Sequence, residues 1–213
     1  MHFPIDTMDM AQSYRLLASV VVPRPIALVS TLDPSGVVNA APYSFFNLLG
    51  SSPPVVALGI ADKEAGSPKD TRANIARTGE FVVNLVHAGL ADAMNTCAID
   101  FPAGVSELAA AQLTPAASVR VAAPRLGEAR VSLECRLHSI VEIGNNKIVL
   151  GEVVFLHIDD EFIEPEKQRV NAEALELIGR MHGGGWYLHT TDLFELPRPN
   201  YAEWLLKEQN TGE

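Results

Sequence analysis

The chain has 213 residues, 47% of them hydrophobic and 20% charged. That length suffices for one sizeable core, and the aliphatic content excludes an intrinsically disordered chain. Lysine and arginine number 16 against 26 aspartates and glutamates, a formal net charge of -10, which argues against a broad basic face for nucleic acid.

Cys97 and Cys135 belong to no CxxC pair, and no His/Cys cluster has zinc-site spacing. They read as two buried thiols in a reducing cytoplasm. The first ten residues carry acids rather than a basic leader, and the apolar run 16–22 is too short to span a bilayer. The expectation is a soluble cytoplasmic protein with no membrane or nucleic-acid partner.

In chain order, residues 9–18 predict a short helix. Pro23 and Pro25 hold Arg24 extended. Residues 26–32 and 37–41 predict two strands around the turn Asp33-Pro34-Ser35-Gly36, hence a hairpin. Residues 42–47 mix aromatic and polar groups without clean periodicity. After the break Ser51-Ser52-Pro53-Pro54, residues 55–60 predict a strand apolar on both faces.

Residues 70–78 predict a helix with Asp70 as N-cap and Gly79 as its C-terminal stop. A strand over 80–86 follows, then an alanine-rich stretch, 88–112, predicted as two helical pieces broken near Pro102 and Gly104. Over 131–138, Val, Leu, Cys and Leu alternate with Ser, Glu, Arg and His. With the turn Gly144-Asn145-Asn146 and the apolar run 148–158, this is the clearest hairpin signal. Residues 159–166 hold five acids and read as a solvated loop, and 172–178 as a short helix. Strands in hairpins with few helices favour a mainly β antiparallel barrel with peripheral helices over a doubly wound parallel sheet.

Residues 24–77 hold five basic residues and four acids, a slightly positive segment in an acidic chain. Lys69-Asp70-Thr71-Arg72 stands at a predicted helix start, where free N–H groups and the dipole favour an anion. Taken alone, it is more simply a capped helix with solvated ions. Tyr43-Ser44-Phe45-Phe46-Asn47 could hold a planar heteroaromatic ring, or Phe45 and Phe46 are core residues. No Walker loop, GxGxxG, GxSxG or HExxH occurs, and none of the six histidines sits in a recognisable motif.

The order of motifs is similar to that of a known family. Pro23-Arg24-Pro25-Ile26-Ala27-Leu28-Val29-Ser30-Thr31 precedes Asn39-Ala40-Ala41-Pro42-Tyr43-Ser44-Phe45-Phe46-Asn47. Pro53-Pro54, Lys69-Asp70-Thr71 with Asn74-Ile75, 79–84, 150–154 and the glycine run ending at Tyr187 follow. Over most of residues 14–190 this resembles the flavin reductase-like, FMN-binding split-barrel family that includes flavoredoxins.

The resemblance implies one domain over 1–213, with a core of about 14–190 and a C-terminal extension over 191–213. It implies a six-stranded antiparallel split β-barrel that forms a homodimer and binds FMN near the subunit interface. Ser30 and Thr31 would face the flavin. Tyr43, Ser44, Phe45, Phe46 and Asn47 would contact its ring, and Ser52, Lys69 and Thr71 its phosphate, with Asp70 capping the helix. The implied activity is an NAD(P)H-dependent flavin reductase that passes electrons through FMN to a small molecule or a partner protein. NADH and NADPH are not told apart, and no catalytic side chain or metal is assigned. His138, His157, His182 and Tyr187 are candidates to orient a nicotinamide. Two alternatives are an FMN electron carrier without nicotinamide chemistry and a non-catalytic binding module.

Overall fold

Runs of branched aliphatics separated by turn residues supply the frame. A computed structural model describes residues 1–63, 66–102, 104–201 and 203–205. Its main sheet holds β1 (Ala27–Leu32), β2 (Val38–Tyr43), β3 (Phe46–Ser51), β4 (Pro54–Ala61), β5 (Glu80–Leu85), β6 (Val131–Ile143) and β7 (Asn146–Ile158). The order across it is β2-β1-β5-β6-β7-β4-β3, antiparallel throughout. Only Ser44 and Phe45 separate the edge strands β2 and β3 in the chain. Edges joined by so short a link must meet there, so the sheet curls into a barrel open along the rest of its seam. The fold is the mainly β split barrel expected.

The main sheet has seven strands rather than six. The extra strand is β3, which starts inside the aperiodic stretch 42–47. An edge strand with one uncovered face has no need to alternate cleanly, and Leu48 and Leu49 are both exposed. A bulge between Leu48 and Gly50 interrupts its period further. β4 differs from its expectation too. Val56, Leu58 and Ile60 are buried, whereas Val55, Ala57 and Gly59 are only half-buried.

The β1–β2 turn forms where expected. The Asp33 carboxylate accepts from the N–H groups of Ser35 (2.7 Å) and Val37 (2.9 Å), an Asx-type turn completed by Gly36 at φ 84°. The β6–β7 hairpin turns at Gly144, φ 58°. Its partner strands contain two bulges, and Gly151 lies at one. A Cβ there would fall 2.8 Å from Cε1 of Phe81, so this glycine makes room for a core ring.

Outside the barrel lie α1 (Met10–Val20), α2 (Asp70–Thr78), α3 (Ala91–Thr96) and α4 (Glu107–Ala111). Asp9 caps α1 by accepting from Ala11 N–H at 2.6 Å, and Gly79 at φ 71° stops α2. α3 and α4 are the two pieces expected within 88–112. The helix expected over 172–178 does not form. Leu177 bridges to His87, and Ile178–Arg180 pairs with both Arg24–Pro25 and Tyr187–His189 in a three-stranded sheet. Distant partners outweigh local helical preference there. The acids of 159–166 are exposed as expected, but Phe162 among them is buried and packs with Val131 and Leu175.

The core falls into two main groups. Val29, Val56, Leu58, Ile75, Phe81, Cys135 and Val149 form one. Ile26, Leu28, Leu90, Met94, Cys97 and Leu126 form the other, under α3 and α4. Central strand β1 feeds both, which is why it is apolar on both faces. Among the described residues, no helix is long and apolar enough to cross a membrane.

Cys97 and Cys135 are free and buried. Burial pushes the Cys97 thiol up to about 12 and raises that of Cys135 as well. A thiol-reactive chromophore should therefore label neither in the native protein and both after denaturation. Rapid native labelling of either would show that its cluster opens.

Candidate functional site

The start of α2 gathers the helix's positive dipole end with Lys69 and Arg72. Lys69, at φ -64° and ψ 149°, is the N-cap residue, and Asp70 is the first residue of the helix. This corrects the expected cap. The Asp70 carboxylate turns to Lys63, with both oxygens 3.2 Å from Nζ. No side chain caps the first turn, so its N–H groups keep their donor capacity at the positive end of the helix dipole. Arg72 pairs with Asp62 at 2.6 Å. Lys69 pairs with no carboxylate among the described residues.

Beneath this helix start lies a buried polar network. Glu107 on α4 accepts from Asn39 Nδ2 (2.8 Å) and from Ala40 N–H (2.9 Å). A carboxylate only accepts, so the Asn39 amide must point its NH2 at Glu107 and its oxygen the other way. That oxygen then accepts from Thr71 Oγ1 at 3.0 Å and, more weakly, from Thr31 Oγ1 at 3.4 Å. Asn74 Nδ2 donates to Thr31 Oγ1 at 3.1 Å. Thr71 is 1% exposed, and its hydroxyl proton is directed inward. Tyr43 stands beside Thr71. Its hydroxyl is buried without a partner among the described residues, and burial pushes it up to about 12. A cavity of about 290 Å³ adjoins the network, bounded by Asp33, Asn39, Asp70, Asn74, Arg77 and Glu107.

The remaining expected site residues are scattered. Ser30 is fully buried, donates to the Pro124 carbonyl and accepts from Asn84 Nδ2 at 3.1 Å. Ser44, Phe45, Phe46 and Asn47 make up the β2–β3 link and the start of β3. Phe45 is 44% exposed. Its carbonyl accepts from Gly59 N–H at 2.7 Å, which ties the link to β4. Ser52 is exposed in the β3–β4 turn. It lies beyond the start of β4, whereas Asp62, the partner of Arg72, follows the end of that strand. At about 3.3 Å per residue, the eight residues of β4 separate Ser52 from α2 by roughly 26 Å. One copy of the chain therefore gathers Thr31, Tyr43, Lys69, Asp70 and Thr71 together, and leaves Ser52 apart.

Two residues that sequence reasoning did not assign to the site organise it. Arg24 is buried and donates to the carbonyls of Ala18 (2.7 Å), Val21 (2.8 Å) and Met181 (2.9 Å). Its guanidinium lies 5.8 Å from the Phe45 ring centroid, so it locks the end of α1 and Met181, just past the 178–180 strand, to the β2–β3 link. Glu107 is the other. The one signal available for it was an acid directly after a capping serine in an alanine-rich helix. Of the candidate histidines, His157 bonds the buried Glu134 at 2.6 Å, and His182 lies 5.8 Å from the Trp186 ring.

These features sit in a sequence with clear relatives. Residues 19–172 match the model of the flavin reductase like domain. An uncharacterized protein of Deinococcus radiodurans is 46% identical over 209 residues, covering 95% of this chain and 92% of its own. Nitrilotriacetate monooxygenase component B from Bacillus cereus superposes with a TM-score of 0.88 at 33% identity, covering 92% of this chain and 98% of its own. The 2-nitrobenzoate 2-nitroreductase of Pseudomonas fluorescens gives 0.86 at 35%, covering 94% and 98%. With its barrel, helix start and motif order all accounted for, the chain belongs to the flavin reductase-like family.

Proposed function

We propose that the protein binds FMN and is an NAD(P)H-dependent flavin reductase. The observation that carries this reading is the uncapped start of α2 beside Lys69, which meets no carboxylate among the described residues. A flavin phosphate needs N–H donors and a cation. The residues present fit that need: Lys63 neutralises the nearest acid, Asp70, and leaves Lys69 available. The Thr71 side chain is spent on Asn39, so its backbone N–H rather than its hydroxyl would serve the phosphate. Phe45 and Phe46 would border the ring. When bound, FMN supplies hydride acceptance and electron transfer, and the protein's part is to hold it with one face open.

The working unit in this reading is a homodimer. Phe45, Leu48 and Leu49 form an exposed apolar strip beside the proposed ring site, and Ser52 reaches a phosphate only if a second copy presents it. The acceptor is a small molecule or a partner protein, and the location is the cytoplasm.

The test is anaerobic titration of FMN-loaded protein with NADH and with NADPH. Bleaching of the visible flavin absorbance is expected with at least one of them. FMN that binds but stays oxidised would leave an electron carrier. Protein that takes up no FMN would end both flavin readings. Lys69→Ala should weaken FMN binding by roughly 1–3 kcal/mol, and an unchanged dissociation constant would remove Lys69 from the site.

A further inference from the structure

Among the described residues, two apolar elements lack a cover, and neither covers the other. Along α1 only Ala18 is buried. Met10, Tyr14, Leu17 and Val21 follow one another at helical spacing and are all exposed, Met10 by 71%. The Phe45 ring, 6.2 Å from that of Tyr14, extends the stripe onto the β2–β3 link. A helix that shows its apolar stripe to water needs a partner.

The second element is the chain after Thr190. Thr190 N–H bonds the Leu177 carbonyl at 3.2 Å, and among the described residues no backbone hydrogen bond follows until Trp204 N–H meets the Asn200 carbonyl. Pro197 and Pro199 keep the segment extended. Phe194 and Leu196 are 86% and 83% exposed, Tyr201 is exposed, and its ring stacks on that of Trp204 at 6.0 Å.

We propose that residues 191–201 and 203–205 form an exchange arm, which lies on the α1 stripe of a second copy while that copy's arm does the same in return. Three arguments select a second copy as the occupant. Arm and receiver are on the same chain, so a two-fold exchange covers both at once. The extended residues 191–199 span up to about 30 Å, enough to leave their own barrel and reach a neighbouring copy. Phe194, Tyr201 and Trp204 would bury roughly 150–250 Å² each. Because Tyr201 and Trp204 are already partly covered, two arms supply the lower end of that sum, roughly 900 Å² from aromatics, and the exposed Leu193 and Leu196 add to it toward the ~1,200 Å² at which stable interfaces begin. The inference names what a dimer exchanges and does not depend on any cofactor.

The experiment places a photo-crosslinking benzoylphenylalanine at Phe194 in the full-length chain. Unlabelled and nitrogen-15-labelled copies are mixed, irradiated and digested. Cross-links joining light to heavy peptides, and mapping to residues 10–21, are expected. Cross-links confined to one isotopic parent, or mapping elsewhere, would overturn the arm. In parallel, the double variant Phe194→Asp, Trp204→Asp should raise the dimer dissociation constant at least about tenfold, as measured by sedimentation. Its circular dichroism and melting temperature at a fixed monomeric concentration should stay unchanged. An unaltered dissociation constant would equally reject the proposal, while leaving FMN binding untouched as a separate question.

Discussion

Replacing Glu134 by alanine is expected to destabilise the protein by roughly 3–5 kcal/mol. Glu134 is fully buried on β6. One carboxylate oxygen accepts from Val119 N–H (2.7 Å) and meets His157 Nε2 (2.6 Å). The other accepts from the N–H groups of Arg120 (2.6 Å) and Val121 (3.1 Å). Residues 119–121 thus wrap an anion with consecutive amides, and the carboxylate fastens the long 113–126 segment over the barrel. Alanine would orphan those donors while the anion they were arranged around disappears.

Burial pushes the Glu134 carboxyl up, but the His157 and backbone hydrogen bonds together outweigh it and hold the carboxyl below its ordinary value. A folded-state value below the unfolded one gives stability that is fully present above the unfolded value, about 4.3. It is lost as pH falls through the folded value. The wild type should therefore lose stability on the acid side, and Glu134→Gln should flatten that acid limb. Urea unfolding at neutral pH and at a series of pH values from about 5 down to about 2 reads both effects. Hydrogen exchange should show the amides of 119–121 losing protection first. A loss under about 1 kcal/mol in Glu134→Ala, with those amides still protected, would mean that the segment is held by other contacts.

Glu134 also illustrates what a sequence conceals. Val, Leu, Cys and Leu alternating with Ser, Glu, Arg and His identifies β6 correctly, because period-two patterning is local. It cannot reveal that the polar face is covered. Ser132 and Glu134 are both fully buried, because Asn84 on β5 collects Ser132 Oγ and Leu126 N–H at 2.9 Å each and draws the 113–126 segment down. The β1–β2 turn, the Gly79 stop and the break between α3 and α4 were readable for the same local reason. β3 and the 178–180 strand were not: an uncovered face and a bulge between Leu48 and Gly50 erase the period of β3, and the 178–180 strand is defined by Arg24–Pro25, far away in sequence. At the site, the α2 start was legible as a motif. The hydrogen bonds that decide which of its atoms are available were not, because Asn39 and Glu107 are 68 residues apart. Likewise the exchange of Asp70 from cap to ion-pair partner depends on Lys63, which only the folded chain brings near.

Glu107→Ala is expected to cost roughly 2–4 kcal/mol, and its consequence for the site is more specific than the loss itself. The carboxylate is buried, and both its partners are donors: Asn39 Nδ2 and Ala40 N–H. Removing it leaves an amide and a backbone N–H unpaired. It also removes the reason for the Asn39 orientation that receives the Thr71 hydroxyl. Glu107→Gln tests the orientation more finely. A glutamine can accept from one of the two donors, but its own NH2 must face the other. The relief is a flip of Asn39, which then offers NH2 to Thr31 and Thr71 and frees the Thr71 proton. Stability should fall by about 1–2 kcal/mol in that variant, less than in the alanine one. In a double-mutant cycle, Glu107→Ala and Asn39→Ala should be non-additive by at least about 1 kcal/mol, because either truncation already dismantles the same network. Additive losses would show instead that Glu107 acts through α4 packing alone, and that the Thr71 hydroxyl is oriented by something other than Asn39.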